Sequence, residues 1–485
     1  MLNLDFNLDF MKKILIIFIS VFTLVSCEKD ITRLNEDKKH PTVVAPEPLF
    51  ANAQRNLSDI LATPNVNSGI FRLLAQQWTQ TTYFDESQYD LSTRNIPQNF
   101  YGSIYRNVLR DFAEAKNLIP NNINATADQK TNQLAITDIM QVYAYSLLVN
   151  TFGNVPYSEA LDFSNSFPKF DDAKTIELDL LKRLDANIAA LKPSAPSFGT
   201  SDIIYNGDVN AWKKFAYTLK LKLGMMFADS DPAIAKAAVE SAAPNVFTSN
   251  ADNAAFEYFV ATPNTNPVWV DLVQSGRQDF VASNTLLNKM NSLSDPRRKF
   301  YFTTTDAGTY VGGIYGTSNN YAAFSKPGDA IIDPARENLF LDYSETEFLL
   351  AEAVERGFAV GGTAALHYTN AITSSITYWG GSTVDATTYL ARPTVNYATA
   401  TGSYKQKIGE QKWIALYNRG FDAWTEWRRL DFPVLNVPEG LTYADIPVRF
   451  TYPVNEQNLN KTNYDAASSA IGGDVVKTKL FWDKF

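Results

Sequence analysis

Apolar and polar positions alternate with a helical period over most of this chain. In residues 134–152, Ala135, Ile139, Val142, Tyr143 and Ser146 share one face, and Gly153 ends the run. Residues 172–191 carry a stripe of Ile176, Leu180, Leu184, Ile188 and Leu191 that stops before Pro193. Residues 210–229 align Trp212, Phe215, Ala216, Leu219, Leu223 and Met226. Lys213, Lys214, Lys220 and Lys222 fall off that stripe and read as solvated.

Two later segments are patterned more sharply. Ser344-Glu345-Thr346-Glu347 reads as a capping box opening a helix over 345–356, which stops at Gly357. Glu345, Glu352 and Arg356 share its polar stripe, whereas Glu347 lies beside Leu350, Ala351 and Val354. A carboxylate on an apolar face is more often a cap or a buried ion-pair partner than a catalytic group. Residues 411–429 align Trp413, Leu416, Tyr417, Gly420, Trp424 and Trp427, and this strict spacing marks the tryptophans as core. Gly420 inside a helix costs about 1 kcal/mol against alanine, so a neighbouring helix is expected to cross closely there. Helices recur in pairs, 134–152 with 172–191 and 345–356 with 363–378. In the last of these, Ala365, Tyr368, Ala371 and Ile372 resemble the second helix of a tetratricopeptide unit. Between helices run long segments rich in Gly, Asn, Thr and aromatics, at 79–99, 262–283 and 301–338, with a short strand expected around 310–315. Structureless segments of that length are often functional.

The N-terminal pattern is different. Lys12-Lys13 precedes an apolar run over 14–25, short of the roughly 20 residues that span a bilayer. A basic head, a short apolar middle and small residues at the end read as an export signal. The run closes on Leu24-Val25-Ser26-Cys27, which resembles a bacterial lipobox, cut just before the cysteine that then receives lipid. Cys27 is the chain's single cysteine, so it makes no intramolecular disulfide, and a tether is the reading that fits. One acyl chain anchors only marginally, two or more stably. Asp5 and Asp9 do not suit a basic head, so translation is expected to start at Met11. The expected organisation is a signal over 1–26, a polar lipid-anchored tether over 27–48, and one domain over 49–485.

Composition then removes whole classes. With 45% hydrophobic and 20% charged residues the balance is that of a globular body, and a net charge of −9 argues against nucleic acid. Only His40 and His367 could serve as imidazole bases, and both read as non-catalytic. The sequence holds no Gly-x-Ser-x-Gly, no His-Glu-x-x-His, no phosphate-binding Gly-x-x-x-x-Gly-Lys loop and no EF-hand loop. A pair of carboxylates acting as a glycosidase stays open, as does a scaffold that only holds protein partners. No cofactor and no metal are expected.

Several segments carry a resemblance in this order: Phe152-Gly153-Asn154-Val155-Pro156-Tyr157, Tyr205-Asn206-Gly207-Asp208, Trp212-Lys213-Lys214-Phe215-Ala216, Asp295-Pro296-Arg297, Tyr343-Ser344-Glu345-Thr346-Glu347, Trp424-Thr425-Glu426-Trp427-Arg428-Arg429 and Arg449-Phe450-Thr451-Tyr452-Pro453. Behind a lipobox, the chain resembles a SusD/RagB-type outer-membrane lipoprotein of the SusD-like branch. The resemblance implies a mainly α fold: tetratricopeptide-like helix pairs in a right-handed superhelical scaffold, with a long irregular loop region and a few short strands carrying the ligand site. It implies an outward-facing protein, bound to the membrane through lipid alone. Such a protein captures an oligosaccharide, or in some members a peptide, without cleaving it. Its partner is a SusC-like TonB-dependent transporter.

A sugar ring offers an apolar C–H face and a hydroxyl rim, so its receptor needs flat aromatics beside amides and charged groups. The irregular segments supply them: Trp78, Tyr83 and Tyr89 with Arg94 and Asn95, then Trp269, then Tyr310 and Tyr315. Two or three of these aromatics are expected to face ligand, with Trp269 and Tyr315 expected to matter for binding but not for stability.

Overall fold

The computed structural model describes residues 45–162 and 164–484, together with Met11 and Lys13. Apart from Met11 and Lys13, the expected export signal lies outside the described residues, as do Cys27, His40 and nearly all of the tether. The described residues from Pro46 onward form one compact unit. No helix among the described residues is long and apolar enough to cross a membrane.

The body is mainly α and tetratricopeptide-like. Four helix pairs build its scaffold: α1 (Pro46–Ala62) on α2 (Arg110–Leu118), α3 (Ala127–Phe152) on α4 (Ala173–Ala190), α5 (Val209–Met226) on α6 (Pro232–Ala242), and α7 (Tyr343–Glu355) on α8 (Ala364–Tyr378). Contacts between α2 and α3, α4 and α5, and α5 and α7 join each pair to the next. Two last helices, α9 (Tyr404–Ala415) and α10 (Gly420–Leu430), pack on α7 and on the short helix Phe71–Leu74 respectively. Helix starts follow local chemistry. Thr126, Asp172, Asp208, Asp231, Thr363 and Ser403 each accept a backbone N–H of the first turn, and Gly153 ends α3 at φ 85°.

Four expectations need correction. The cap of α7 is Asp342, which accepts from the Glu345 N–H at 2.6 Å. Ser344 is already helical and donates to the Ala371 carbonyl on α8 at 2.8 Å. Lys220 and Lys222 are buried, because α5 is covered by α4, α6 and α7 at once. The expected single helix over 411–429 is two, broken where Asn418 takes φ 69°. Finally, the region around 310–315 forms only a bridge, Gly313 to Ser283. The Val311 and Ile314 N–H groups are used by Ser325 Oγ at 3.1 Å and Asn319 Oδ1 at 2.8 Å, which leaves no strand ladder.

Other expectations stand. Trp413, Trp424 and Trp427 are buried. A Cβ on Gly420 would lie 2.5 Å from the backbone nitrogen of Arg72, so the close crossing exists, with Phe71–Leu74 as the crossing helix.

The polar stripe assigned to α7 faces inward. Lys222 and Arg419 hold Glu345 and Asp422, and Arg419 also reaches Asp342 at 2.9 Å. Next to these, Arg429 holds Glu352 and Glu426, Lys412 meets Glu426 at 2.8 Å, and Arg356 joins Glu352 to Asp229, which also meets Lys405. Six acids thus face six bases along the seam between α5, α7, α9 and α10. Buried charges persist only when matched in this way. The Arg428-Arg429 pair therefore serves the fold: Arg429 closes the seam, and Arg428 lies over the Trp424 ring at 3.5 Å.

Candidate functional site

Three irregular segments, 76–95, 310–319 and 434–438, are tied together by amide side chains. The fully buried Gln76 accepts from the Asn436 N–H at 2.9 Å and from Thr285 Oγ1 at 2.6 Å. Its Nε2 donates to the Asn436 carbonyl at 2.7 Å and to the Tyr89 hydroxyl at 3.0 Å. Gln80 Oε1 accepts the Ser87 N–H and hydroxyl, while its Nε2 donates to the Tyr83 carbonyl at 2.9 Å and to Glu86 at 2.6 Å. Asn319 donates to the Gln80 carbonyl at 2.8 Å and to the Ile314 carbonyl at 3.0 Å. β1 (Trp78–Gln80) pairs antiparallel with β2 (Phe280–Ala282) beneath them. Backbone that lacks a ladder is thus satisfied by side chains.

This framework holds strain. Gln76, Tyr83, Tyr89 and Asn95 all sit in the left-handed region, at φ 51°, 52°, 65° and 52°. Non-glycine residues take that conformation at a cost, and such residues cluster where a surface must be held in one shape. Tyr83 is the clearest case, an aromatic ring 76% exposed on a backbone locked by Gln80. Ile314, 58% exposed, is displayed by the segment that Asn319 fixes.

The sequence candidates separate by burial. Trp78 is 1% exposed and donates its indole N–H to the Tyr417 hydroxyl at 2.9 Å. Tyr89 and Tyr315 are also buried, with ring centroids 6.1 Å apart, and the Tyr315 hydroxyl donates to the Leu73 carbonyl at 2.8 Å. Burial pushes the Tyr89 hydroxyl up to about 12. These three rings support the framework from inside, so the expectation that Tyr315 could be removed without loss of stability is corrected. Arg94 is spent on the buried Glu86. Asn95 is exposed at the start of the helix Ile96–Ser103. Trp269 is half-buried on the short helix Pro267–Trp269, which packs on α1. Tyr310 is half-buried with the Arg298 guanidinium 5.3 Å from its centroid. The structure thus brings Tyr83, Tyr89, Arg94 and Tyr315 into one framework and sets Trp269 on a separate element.

Sequence reasoning missed Gln76, Asn319, Asn436 and Ile314. The run Gln76-Gln77-Trp78-Thr79-Gln80 held a signal, since three glutamines around a strand that is buried throughout must bond inward. Hydrogen bonds from Thr93 and Ser92 hold the Asp90 carboxyl at about 2 and fold the turn that leads to Arg94. His367 is a satisfied core residue bonded to Glu347 at 2.8 Å and to the Gly361 carbonyl at 3.0 Å. That bond also explains Glu347 on its apolar face. Among the described residues no cluster of His, Cys, Asp and Glu could hold a metal ion.

A family model for SusD-like proteins, described as starch-binding and associating with the outer membrane, matches residues 38–453. A solved chitin-binding protein is 25% identical over 91% of this chain and 100% of its own, with a TM-score of 0.79. A SusD homologue from Bacteroides uniformis is 25% identical over 90% of this chain and 99% of its own, at 0.75. A chitin-binding SusD homologue from Flavobacterium johnsoniae is 24% identical over 90% and 98%, at 0.77. No curated protein matches the chain.

Proposed function

From the premise that this chain belongs to the SusD-like family, we propose that it captures a glycan at the outer face of the outer membrane and hands it, uncleaved, to a SusC-like TonB-dependent transporter. The observation that carries this reading is the family match over 38–453, which covers nearly the whole body. Lipid on Cys27 is the anchor, and the tether expected over 27–48 is proposed to end earlier, at Pro46 where α1 starts.

Tyr83 supplies the stacking face, with Asn95 as a polar neighbour in the same segment. A ring held rigidly binds without ordering a loop first, which lowers the entropy cost of capture. Tyr310 and Trp269 are secondary candidates, each half-exposed on its own element. Chito-oligosaccharides are the first ligands to try, because a solved protein of this fold at 25% identity is named as chitin-binding.

The test is calorimetric titration of the purified protein with malto- and chito-oligosaccharides, followed by a reducing-end assay on the same mixtures. Heat of binding with no new reducing ends is expected. Steady release of reducing ends would replace the receptor with a glycosidase.

A further inference from the structure

The helix Ile96–Ser103 runs through a π-helical stretch, Ile104–Leu109, into α2. Gln98, Tyr101, Gly102, Tyr105, Arg106 and Arg110 on this run form one wall of a cleft of about 500 Å³. That volume lies within the ~300–1,000 Å³ of small-ligand sites. Pro156, Pro168, Asn455 and Glu456 stand among the residues that complete it. π-Helical turns inside α-helices are rare and recur at functional sites. Gly102 is a second, independent sign. It lies inside the helical run, where alanine is the better helix former, yet a Cβ there would meet nothing within 4 Å. No neighbour forbids a side chain, so what glycine preserves is the space of the cleft.

Arg106 is exposed, and its side chain makes one hydrogen bond among the described residues, Nε to Asn107 Oδ1 at 3.2 Å. Its terminal N–H groups are left open to the cleft. Two carboxyls share the lining, and both are engaged elsewhere. Asp162 accepts the Ser164 N–H at 2.9 Å and the Ser164 hydroxyl at 2.7 Å. Glu456 accepts from the Tyr101 hydroxyl at 3.2 Å and from Asn460 Nδ2 at 3.1 Å, and burial raises its carboxyl. The Asn455 N–H donates to Gln98 Oε1 at 3.1 Å, which leaves the Gln98 Nε2 donor for a ligand.

We propose that this cleft binds the carboxylate of a uronic-acid residue in an acidic glycan, an inference that rests on the glycan-binding reading above and extends it to charged ligands. The planar Arg106 guanidinium takes both carboxylate oxygens as a forked pair. Arg110, four positions on at the start of α2, adds positive charge. Gln98 donates to a ring hydroxyl, and the half-buried Tyr105 gives the sugar an apolar surface. A neutral sugar brings nothing that fills the fork. The cleft shares no lining residue with the Tyr83 framework, so the two sites should be separable.

The experiment is calorimetric titration of the purified protein with trigalacturonic acid and with a hyaluronan tetrasaccharide, each beside its methyl ester, which keeps linkage and stereochemistry and removes the charge. Triglutamate serves as the acidic peptide, and chitotriose tri-N-acetate reports neutral binding. The variants are Arg106→Gln and Gly102→Leu, which fills the cleft from a position with room for it, and thermal melts check that both fold. At least one acid should bind at least about tenfold more tightly than its ester, and both variants should abolish that difference while leaving the chitotriose titration unchanged. Acids that bind no better than their esters, or an acid preference that survives in both variants, would overturn the cleft and leave the proposed function intact. Triglutamate binding more tightly than either acid, with the same loss in Arg106→Gln, would overturn the sugar and assign the cleft to acidic peptides. Absence of binding by every glycan, charged or neutral, would remove the proposed function and this inference together.

Discussion

Arg429 grips both oxygens of the Glu352 carboxylate, Nη1 on Oε1 at 2.6 Å and Nη2 on Oε2, with neither side chain open to water. A fork-on-fork pair of this kind cannot be halved cheaply, since removing one partner strands a charge in the core. Arg429→Ala is expected to lower unfolding stability by about 3–5 kcal/mol. Arg429→Lys should lose less, keeping the charge but not the fork. Urea denaturation of the three proteins checks the order.

The same pair makes the fold sensitive to acid. Burial alone would raise the Glu352 carboxyl, but Arg429 and Arg356 outweigh it and hold it at about 2. A carboxyl whose folded value lies below its ordinary one stabilises fully above about pH 4.5, and that contribution fades as the pH falls toward 2. The urea midpoint should therefore drop steeply between pH 4.5 and 2, with a shallower slope in Glu352→Gln. Equal slopes would remove Glu352 from the acid transition.

Glu177 on α4 behaves in the opposite sense. It is fully buried, and burial raises its carboxyl to about 8 against a weaker lowering by Asn150, whose Nδ2 donates to it at 3.3 Å. Its Oε2 and the Asn150 Oδ1 both lack partners. The folded chain keeps Glu177 protonated while the unfolded chain ionises it above about pH 4.5, so stability falls as pH rises from there to 8. Glu177→Gln removes that loss and offers an N–H to Asn150 Oδ1. The variant should be more stable by about 1–3 kcal/mol at pH 7, with little difference at pH 4, in paired melts at the two pH values.

Gly420→Ala tests the crossing of α10 and Phe71–Leu74. The new methyl would meet Arg72 N at 2.5 Å and Phe71 C at 2.8 Å, backbone atoms that cannot turn aside. A loss of about 1–3 kcal/mol is expected from chemical denaturation, although alanine is the better helix former.

Tyr83→Ala and Tyr315→Ala should part company. The exposed Tyr83 can be cut with a stability change within about 0.5 kcal/mol, yet glycan affinity should fall by at least ~1 kcal/mol, or about fivefold. Tyr315, packed on Tyr89, should cost about 3–5 kcal/mol of stability. Melting curves beside titrations separate the two effects.

The scaffold was readable because α3, α4 and α5 announce themselves twice, by an apolar stripe and by an end signal such as Asp172 or Gly153. Reading failed where a distant partner decides. Nothing local says that Lys222 will meet Asp422, or that Glu345 and Glu352 will turn inward toward Arg419 and Arg429. The cap of α7 was misread for a smaller reason: Asp342 and Ser344 both suit the role, and the contact of Ser344 with α8 decides between them. Among the loop aromatics, composition marked the right segments but could not rank them. Whether Tyr83 faces out and Tyr89 faces in depends on Gln80, which bonds the Tyr83 carbonyl locally, and on Gln76, whose bond to Asn436 reaches 360 positions along the chain.

The contact between Arg72 and Asn418 joins residues 346 positions apart, at 2.7 Å. A ribosome delivers the first of them long before the second, so the seam beneath α10 waits for almost the last of the polypeptide. An open solenoid can zip up unit by unit. This one is clasped across distant segments, and loop closure over that span delays the contact until both are made. A nascent fragment stopping short of Leu430 would carry helix pairs without the clasp that holds them shut.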